Sequence, residues 1–202
     1  METTNCKNEI INRALSLLRE KEIIDISIEP NSDTEKLVYK WYETAKSEAL
    51  LEVEPIFAIK RLKLNIEKKV NAEDLSEVKT PEENSDTIVN NSYLYAYRIP
   101  SDCLRIFDGN FELLEGNYIY SYQDNGLTIK YLTSNTELYT REVKFNIALS
   151  YLLAYYICAD LQNNDNKIQL FFKLKNNKIS EARISNLREI GVEIKKNYRW
   201  KK

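Results

Sequence analysis

The side chains able to do chemistry in this 202-residue chain are carboxylates, lysines, tyrosines and three cysteines, because the chain contains no histidine. The lack of histidine removes Ser-His-Asp and Cys-His catalysis, imidazole metal ligands and the commonest general base. Cys6, Cys103 and Cys158 are far apart and include no Cys-x-x-Cys pair, which excludes the usual zinc and redox frameworks. Only four glycines are present, too few for a Gly-rich phosphate loop. These residue types predict that the chain is not an enzyme and uses no metal or cofactor.

Two chemical alternatives stay open. The first is a cell-wall hydrolase, since glycoside cleavage needs two carboxyl groups about 5–10 Å apart across a sugar cleft. With 31 acidic residues, one pair at such a distance is expected by chance, so this signal is nearly empty. The second is a nucleic-acid-binding module built on tyrosines, but stacking platforms normally lie in a positively charged groove. The formal charge is −2 and the last eight residues hold the strongest basic cluster, so we favour neither alternative.

Apolar residues recur with a helical period in four segments, which predicts four helices. The segments lie at about 8–22, from Ser32 to a point before Pro55, at 142–161 and at 166–189. A short loop between the last two predicts that they are antiparallel neighbours. Trp41 and Tyr42 could stack on bases, but their helical spacing favours core packing. Cys158 is expected to be a small buried apolar residue.

The middle of the chain is predicted to be rich in β-structure. A strand is expected at 56–64, where Lys60, Arg61 and Lys63 indicate a solvated face rather than a nucleic-acid contact. The polar, acidic segment 65–92 predicts a long loop or arm without a core of its own.

A β-hairpin is predicted for residues 118–122 and 127–131, because Gln123-Asp124-Asn125-Gly126 between them is a strong turn signal. The side chains of Tyr118, Tyr120 and Tyr122 are expected to share one face of the first strand.

The most distinctive stretch is 93–106. Its alternating tyrosines, on one face of a strand, are Tyr93, Tyr95 and Tyr97. Pro100 fixes its own φ and pushes the residue before it toward extended geometry, so the strand must end there. Ser101 and Asp102 are expected to turn the chain by bonding nearby backbone N–H groups, and a new strand starts at 104–106.

These elements predict an α+β fold: a four-helix bundle with a β-rich insertion between helices two and three. The expected boundaries are 1–55 and 138–190 for the bundle, 56–137 for the insertion with its polar arm at 65–92, and 191–202 for a C-terminal tail. With 43% apolar and 30% charged residues, the chain is expected to be soluble and folded. No apolar run approaches the ~20 residues that span a bilayer, and the first residues lack signal-peptide features, so cytosolic synthesis is expected.

Four segments together resemble a known family in their order and spacing. They are Asn12-Arg13-Ala14-Leu15-Ser16-Leu17-Leu18, Leu37-Val38-Tyr39-Lys40-Trp41-Tyr42-Glu43-Thr44-Ala45-Lys46 with Pro55-Ile56-Phe57-Ala58, Tyr95-Ala96-Tyr97-Arg98-Ile99-Pro100-Ser101-Asp102-Cys103-Leu104-Arg105-Ile106, and Phe145-Asn146-Ile147-Ala148-Leu149 continuing to Leu153-Ala154. The chain thereby resembles the head-to-tail adaptors of short-tailed bacteriophages, the tail tubular protein A family, over roughly 11–182. The third segment is the most specific, and its family-signature residues are Tyr95, Tyr97, Pro100, Asp102, Leu104 and Arg105. Members typically carry a Trp-Asn-Phe-Ala-like segment where this chain has Ile56, and the arm at 65–92 is longer than the usual linker.

The resemblance implies a virion protein that forms a ring, commonly of about twelve copies. Such a ring joins the portal protein to the tubular or nozzle protein of the tail and extends the DNA channel, retaining the genome and letting it pass during ejection. The implied partners are other copies, the portal, the tail protein and DNA that passes without specific binding, with no membrane and no cofactor. The ring would lie in the neck of the virion after assembly in the host cytoplasm. The adaptor of a long-tailed phage, or a hydrolase carried in the virion, is the alternative.

Within this implied role, the portal interface is expected in the C-terminal tail at Tyr198, Arg199 and Trp200, which are residue types typical of interfaces. The alternative for this tail is a frayed basic end. Lys175 and Lys178 are expected on an ordinary helix surface rather than in the channel. The 93–106 stretch is expected to join the helical bundle to the β region.

Overall fold

The computed structural model describes residues 2–20, 33–71, 93–137, 142–161 and 165–189. These residues fall into two compact units. The helical unit comprises the described residues of 1–58 and 134–202, and the β unit comprises those of 59–133. The described helices include none that is long and apolar enough to cross a membrane.

Four helices are present among the described residues. They are α1 at Glu2–Leu18, α2 at Asp33–Val53, α3 at Val143–Leu161 and α4 at Asp165–Glu189, with a short 3-10 turn at Ile56–Ala58 after α2. The predicted helices two, three and four are confirmed, with α3 and α4 beginning within one residue of the expected positions. Helix α1 begins and ends earlier than the predicted 8–22.

The ends of α1 and α2 are formed without glycine. The Glu20 N–H donates to the Leu15 carbonyl at 2.9 Å, and the residue before Glu20, Arg19, has a left-handed φ of 64°. Glu54, with a φ of 51°, donates its N–H to the Leu50 carbonyl at 2.8 Å. Both are left-handed C-terminal caps, a position in which glycine is the usual residue. The sequence therefore carried no glycine signal for the end of α1.

Helix α3 is the centre of the helical unit, since it packs against each of the other three helices. Its buried residues cover most of its circumference and are Phe145, Asn146, Ala148, Leu149, Ser150, Leu152, Leu153, Ala154, Ile157 and Cys158. A helix that is apolar nearly all round must be surrounded by other elements. The remaining helices therefore pack around α3.

The predicted fold class, a four-helix bundle with a single β-rich insertion, is wrong. The described residues form four helices and two antiparallel sheets with seven strands. The helices surround one central helix instead of forming four equivalent corners, because α3 buries several faces at once. The strands likewise form two sheets with a core between them.

The β unit consists of two antiparallel sheets. Its strands are β1 at Ile59–Leu64, β2 at Ile66–Asn71, β3 at Tyr93–Arg98, β4 at Cys103–Asp108, β5 at Leu113–Glu115, β6 at Tyr118–Ser121 and β7 at Leu127–Thr133. The three-stranded sheet has the order β1-β7-β4, and the four-stranded sheet has the order β2-β3-β6-β5. Between them lies an inter-sheet core formed by Leu64, Tyr97, Ile119, Leu127, Ile129 and Tyr131.

The predicted hairpin between 118–122 and 127–131 is wrong. Strand β6 pairs with β3 and β5, whereas β7 pairs with β1 and β4 in the other sheet. The predicted turn exists, and Gly126 adopts a φ of 98° at its end, but it carries the chain from one sheet to the other. Ile119 of β6 and Ile129 of β7 both lie in the inter-sheet core, one from each sheet. The two strands therefore face one another across this core instead of pairing edge to edge.

The predicted arm at 65–92 is wrong in its first part. Strand β2, Ile66–Asn71, pairs with β3 and contributes to the four-stranded sheet. Asn65 alone separates it from β1, so the chain changes sheet within one residue. The remainder, 72–92, lies outside the described residues.

Replacing Leu149 by Ala should lower the free energy of unfolding of the helical unit by about 2–5 kcal/mol, because the side chain is fully buried in α3 and a cavity would remain. Urea unfolding followed by Trp41 fluorescence in a Trp200→Phe background measures this unit. Leu170→Ala on α4 is the matched control, since Leu170 is 53% exposed, and should change stability by less than about 0.5 kcal/mol. Equal losses for the two variants would contradict the central position of α3.

Candidate functional site

The distinctive stretch 93–106 forms a corner between the two sheets. Strand β3 ends at Arg98 in the four-stranded sheet, and β4 begins at Cys103 in the three-stranded sheet. The Cys103 N–H donates to the Pro100 carbonyl at 3.0 Å and closes the turn. The predicted strand end at Pro100 and the new strand after Asp102 are confirmed. The expectation that this stretch joins the helices to the β region is wrong, because all of it lies inside the β unit.

Asp102 holds this corner against neighbouring strands. Its carboxylate accepts a hydrogen bond from the Thr133 hydroxyl at 2.6 Å and another from the Tyr131 hydroxyl at 3.5 Å. The Lys60 Nζ lies 3.7 Å from the same carboxylate. Burial, and secondarily the charge of Asp102, raises the pKa of Tyr131. Asp102 therefore links the corner to β7 and β1, a longer-range role than the local turn bond predicted for it.

The tyrosines of β3 serve packing. Tyr97 is fully buried in the inter-sheet core and donates its hydroxyl to the Gln123 carbonyl, and Tyr95 packs against the same core. Burial raises the pKa of Tyr97. The shared face is confirmed for Tyr95 and Tyr97, while the side chain of Tyr93 lies outside the description. The predicted shared face of β6 is confirmed too, since Tyr118, Tyr120 and Tyr122 pack together in a second cluster with Leu94 and Ala96.

A cleft of about 730 Å³ opens beside the corner. Its apolar lining includes Ile99, Leu104, Ile106, Phe111 and Leu114. Arg98 and Arg105 also line it, and both are exposed. Of the predicted signature residues, this cleft brings together Pro100, Leu104 and Arg105. Sequence reasoning missed Phe111 and Leu114, although their apolar segment between two Gly-Asn turn signals could have indicated a third contributing strand.

The two sheets present two opposite edges. Within the described residues, β1, β2, β4 and β5 each pair on one side only. Strands β1 and β2 adjoin through Asn65 and form the β1/β2 edge, and β4 and β5 adjoin through residues 109–112 and form the β4/β5 edge. Because β7 lies between β1 and β4, these edges are on opposite sides of the unit.

Both edges leave the interior of the β unit open. By register, Leu62 pairs with Ile129, Ile66 with Tyr97 and Leu114 with Ile119. Opposed residues of antiparallel strands point to the same face, and the second member of each pair is in the inter-sheet core. The three edge residues nevertheless remain 42%, 39% and 49% exposed, respectively. Within the described residues, the apolar layer between the sheets therefore ends in partly exposed side chains at both edges.

The helical unit contains a buried charged group. Lys175 is only 7% exposed, and its Nζ donates to Glu48 Oε1 at 3.2 Å and lies near the rings of Tyr155 and Phe172. Tyr156 donates its hydroxyl to the other Glu48 oxygen. This Glu48 cluster joins α2, α3 and α4, so the predicted helix-surface position is wrong for Lys175.

Lys178, one turn further along α4, pairs with Glu181 of the same helix at 2.9 Å. The expectation of an ordinary surface position is confirmed for this residue.

Trp41 and Tyr42 belong to the packing of α2, as predicted. Trp41 stacks on Tyr156 with ring centroids 4.8 Å apart, and its indole N–H donates to Asp160 at 2.8 Å. Hydrogen bonds from Lys40 and then Trp41 hold the pKa of Asp160 below its usual range. Tyr42 is buried, which raises its pKa.

The three cysteines are poor nucleophiles in this structure. Burial is the main cause that raises the pKa of Cys6, Cys103 and Cys158, so each thiol stays protonated near neutral pH. Cys158 is fully buried in α3, as predicted for a small apolar residue. In the part of the chain that is described, no group of three or more cysteines and carboxylates could hold a metal ion.

The predicted portal contacts Tyr198, Arg199 and Trp200 lie outside the described residues. Neither a protein-family model nor a curated protein matches this chain.

Replacing Asp102 by Ala should destabilise the β unit by about 1–3 kcal/mol, because the fully buried Thr133 hydroxyl loses this acceptor. Asp102→Asn keeps one oxygen acceptor and should cost less. Asp124→Ala, at an exposed turn of the same unit, is the control. Urea unfolding by circular dichroism compares the three, and the role of Asp102 would be refuted by equal stability of the Asp102→Ala and Asp124→Ala variants.

The Glu48 cluster should make stability depend on alkaline pH. Burial, followed by the hydrogen bond to Glu48, raises the pKa of Tyr156 from 10.0 to about 12. A raised pKa in the folded state contributes stability that is present below pH 10.0 and is lost as the pH rises toward about 12. Tyr156→Phe should therefore show a smaller drop in Tm than the parent chain between about pH 9 and 11. Tyr39→Phe, at an exposed site on α2, should leave the parent drop unchanged; an undiminished drop in Tyr156→Phe would contradict the assignment.

Proposed function

We propose that this chain is a structural protein of a bacteriophage particle, a head-to-tail adaptor whose copies form a ring between the portal and the tail. The ring extends the DNA channel, retains the packaged genome and lets DNA pass during ejection. This work is mechanical, so each copy needs surfaces for two neighbours, for the portal and for the tail protein. The proposal starts from the four sequence segments whose order and spacing resemble those of the adaptor family.

The observation that carries the proposal is the open interior of the β unit. Leu62 and Ile66 are exposed at one edge and Leu114 at the other, although all three face the inter-sheet layer. Burying such apolar surface stabilises an assembly by about 25 cal/mol per Å². A ring subunit binds its two neighbours through different faces, and the β unit offers two different edges.

The use of the polar groups supports a structural role. Glu48, Lys175 and Tyr156 hold three helices together, and Asp102 and Thr133 hold the corner of the sheets. A partly buried ion pair favours fixed relative positions of its helices, because separating the charges would leave the buried lysine uncompensated. A subunit that transmits force between capsid and tail needs such fixed internal geometry.

The remaining contacts follow from composition and from the resemblance. Each phosphate contact by a lysine or arginine adds affinity for DNA, so a chain with a formal charge of −2 suits a conduit that must release DNA. We assign the portal contact to the C-terminal residues Tyr198, Arg199 and Trp200, whose types are common at interfaces.

Electron microscopy tests the proposal directly. The chain, mixed with the portal protein from the same phage genome, should form a second ring on the portal, with about twelvefold symmetry. Portal alone and the chain alone are the controls, and the chain alone is expected to be monomeric or weakly associated. A mixture that contains intact portals and the folded chain but no added ring of any order would refute the adaptor function.

A further inference from the structure

We propose that neighbouring copies of this chain bind one another through two different edges of the β unit. The β1/β2 edge of one copy lies against the β4/β5 edge of the next. This inference names the lateral contact of the adaptor ring and rests on that proposed function. Its partner is a second copy of the same chain, chosen by charge and by the position of exposed apolar residues.

The two edges differ in charge. Along β1 and β2 lie five cations and one carboxylate: Lys60, Arg61, Lys63, Lys68, Lys69 and Glu67. Along β4, β5 and the loop between them lie three carboxylates and one cation: Asp108, Glu112, Glu115 and Arg105. Arg98, at the end of β3, also lines the cleft on this side. The β1/β2 edge is therefore strongly basic, and the β4/β5 edge carries more carboxylates than arginines.

The apolar residues complement this charge pattern. The β1/β2 edge exposes Leu62 and Ile66, which lie on either side of the sheet change at Asn65. The β4/β5 edge contains the cleft of about 730 Å³, and Leu114 is exposed in its wall. Docking would continue the apolar inter-sheet layer of one copy into that of the next. The surrounding lysines would then lie near carboxylates at the rim of the contact.

Charge also selects the direction of assembly. Two β1/β2 edges brought together would place one excess of cations against another, even though Lys60 already lies 3.7 Å from Asp102, and like charges in one interface oppose association. Lysines on an edge strand normally prevent pairing with other strands. A partner edge with carboxylates removes this repulsion between lysines. The contact of a β1/β2 edge with a β4/β5 edge is therefore favoured, and the symmetric contact of two basic edges is disfavoured.

Thiol cross-linking tests the geometry of the contact. In a Cys103→Ser background, the remaining native cysteines Cys6 and Cys158 are buried. A chain that carries both Leu62→Cys and Leu114→Cys should give a ladder of dimers, trimers and larger products with a short bifunctional maleimide. Each single variant alone should remain uncross-linked, and a mixture of the two single variants should stop at dimers. Efficient dimers from Leu62→Cys alone would mean a symmetric contact and would overturn the proposal.

Charge reversal tests the electrostatic selection. Arg61→Glu with Lys63→Glu should reduce the ladder about tenfold, and Glu112→Lys with Glu115→Lys should do the same. The combination of all four changes should restore the ladder, because the signs are again opposite. Lys173→Glu with Arg183→Glu on the exposed side of α4 changes the net charge equally and should leave the ladder intact. Failure of the combined variant to recover, when both reversal pairs weaken the contact, would count against direct pairing of the edges.

The same variants separate this inference from the adaptor function. In one outcome, rings form on the portal, tolerate both pairs of charge reversals and show no cross-link between positions 62 and 114. This outcome would overturn the edge contact and leave the adaptor function standing. A ladder that forms without any ring on the portal would support the edge contact and refute the adaptor function. If the chain with both Leu62→Cys and Leu114→Cys gives no ladder, either by itself at high concentration or in complex with the portal, the edge contact is overturned.

Discussion

The apolar layer between the two sheets is the constraint on which the β unit depends. Tyr97 and Ile119 enter it from one sheet and Ile129 enters it from the other, and all three are fully buried. Because both sheets must supply this layer, the chain changes sheet between β1 and β2, β3 and β4, β4 and β5, and β6 and β7. The corner at Pro100 is one of these changes, and the Asp102 bond to Thr133 fixes it. Sheets of three and four strands do not close around the layer, so its margins stay open at both edges.

The helical unit obeys a different constraint, the burial of one helix by three others. Helix α3 supplies apolar contacts to its neighbours on several sides, which fixes which helices are adjacent. The Glu48 cluster then fixes the relative positions of α2, α3 and α4, because Lys175 has lost most of its water and depends on its carboxylate and aromatic neighbours. Nonspecific apolar packing alone would tolerate sliding of these helices, whereas a buried charge tolerates little displacement from its partner.

Local features of this fold could be predicted from the sequence, and non-local pairing could not. The periodic apolar residues of α3 and α4 predicted both helices closely, and Pro100 predicted the end of β3. Asn125-Gly126 correctly predicted a change of direction, but a turn does not determine which strand becomes the partner, so the hairpin was wrong. The exposure of Leu62 and Leu114 was beyond prediction for the same reason, since it depends on their register with distant strands. A lysine at position 175 was predicted to lie on the surface, because the nearby sequence does not show that Glu48, far away in sequence, is its partner.

The direction of the proposed assembly and the size of the ring would have separate physical origins. In the proposed contact, charge would decide which edges meet, since the basic β1/β2 edge would bring its lysines near the carboxylates of the β4/β5 edge. The angle between successive copies would instead be set by the angle between the β1/β2 and β4/β5 edges of one β unit, which depends on the twist of the sheets between them. The corner at 99–102 helps to set that angle, because it positions β4 relative to β3 and is held to β7 by Asp102. In the proposed ring, the tyrosine strand and its Pro-Ser-Asp turn would therefore need no chemistry of their own, since a small change in this corner would alter the rotation between copies and hence the closure of the ring.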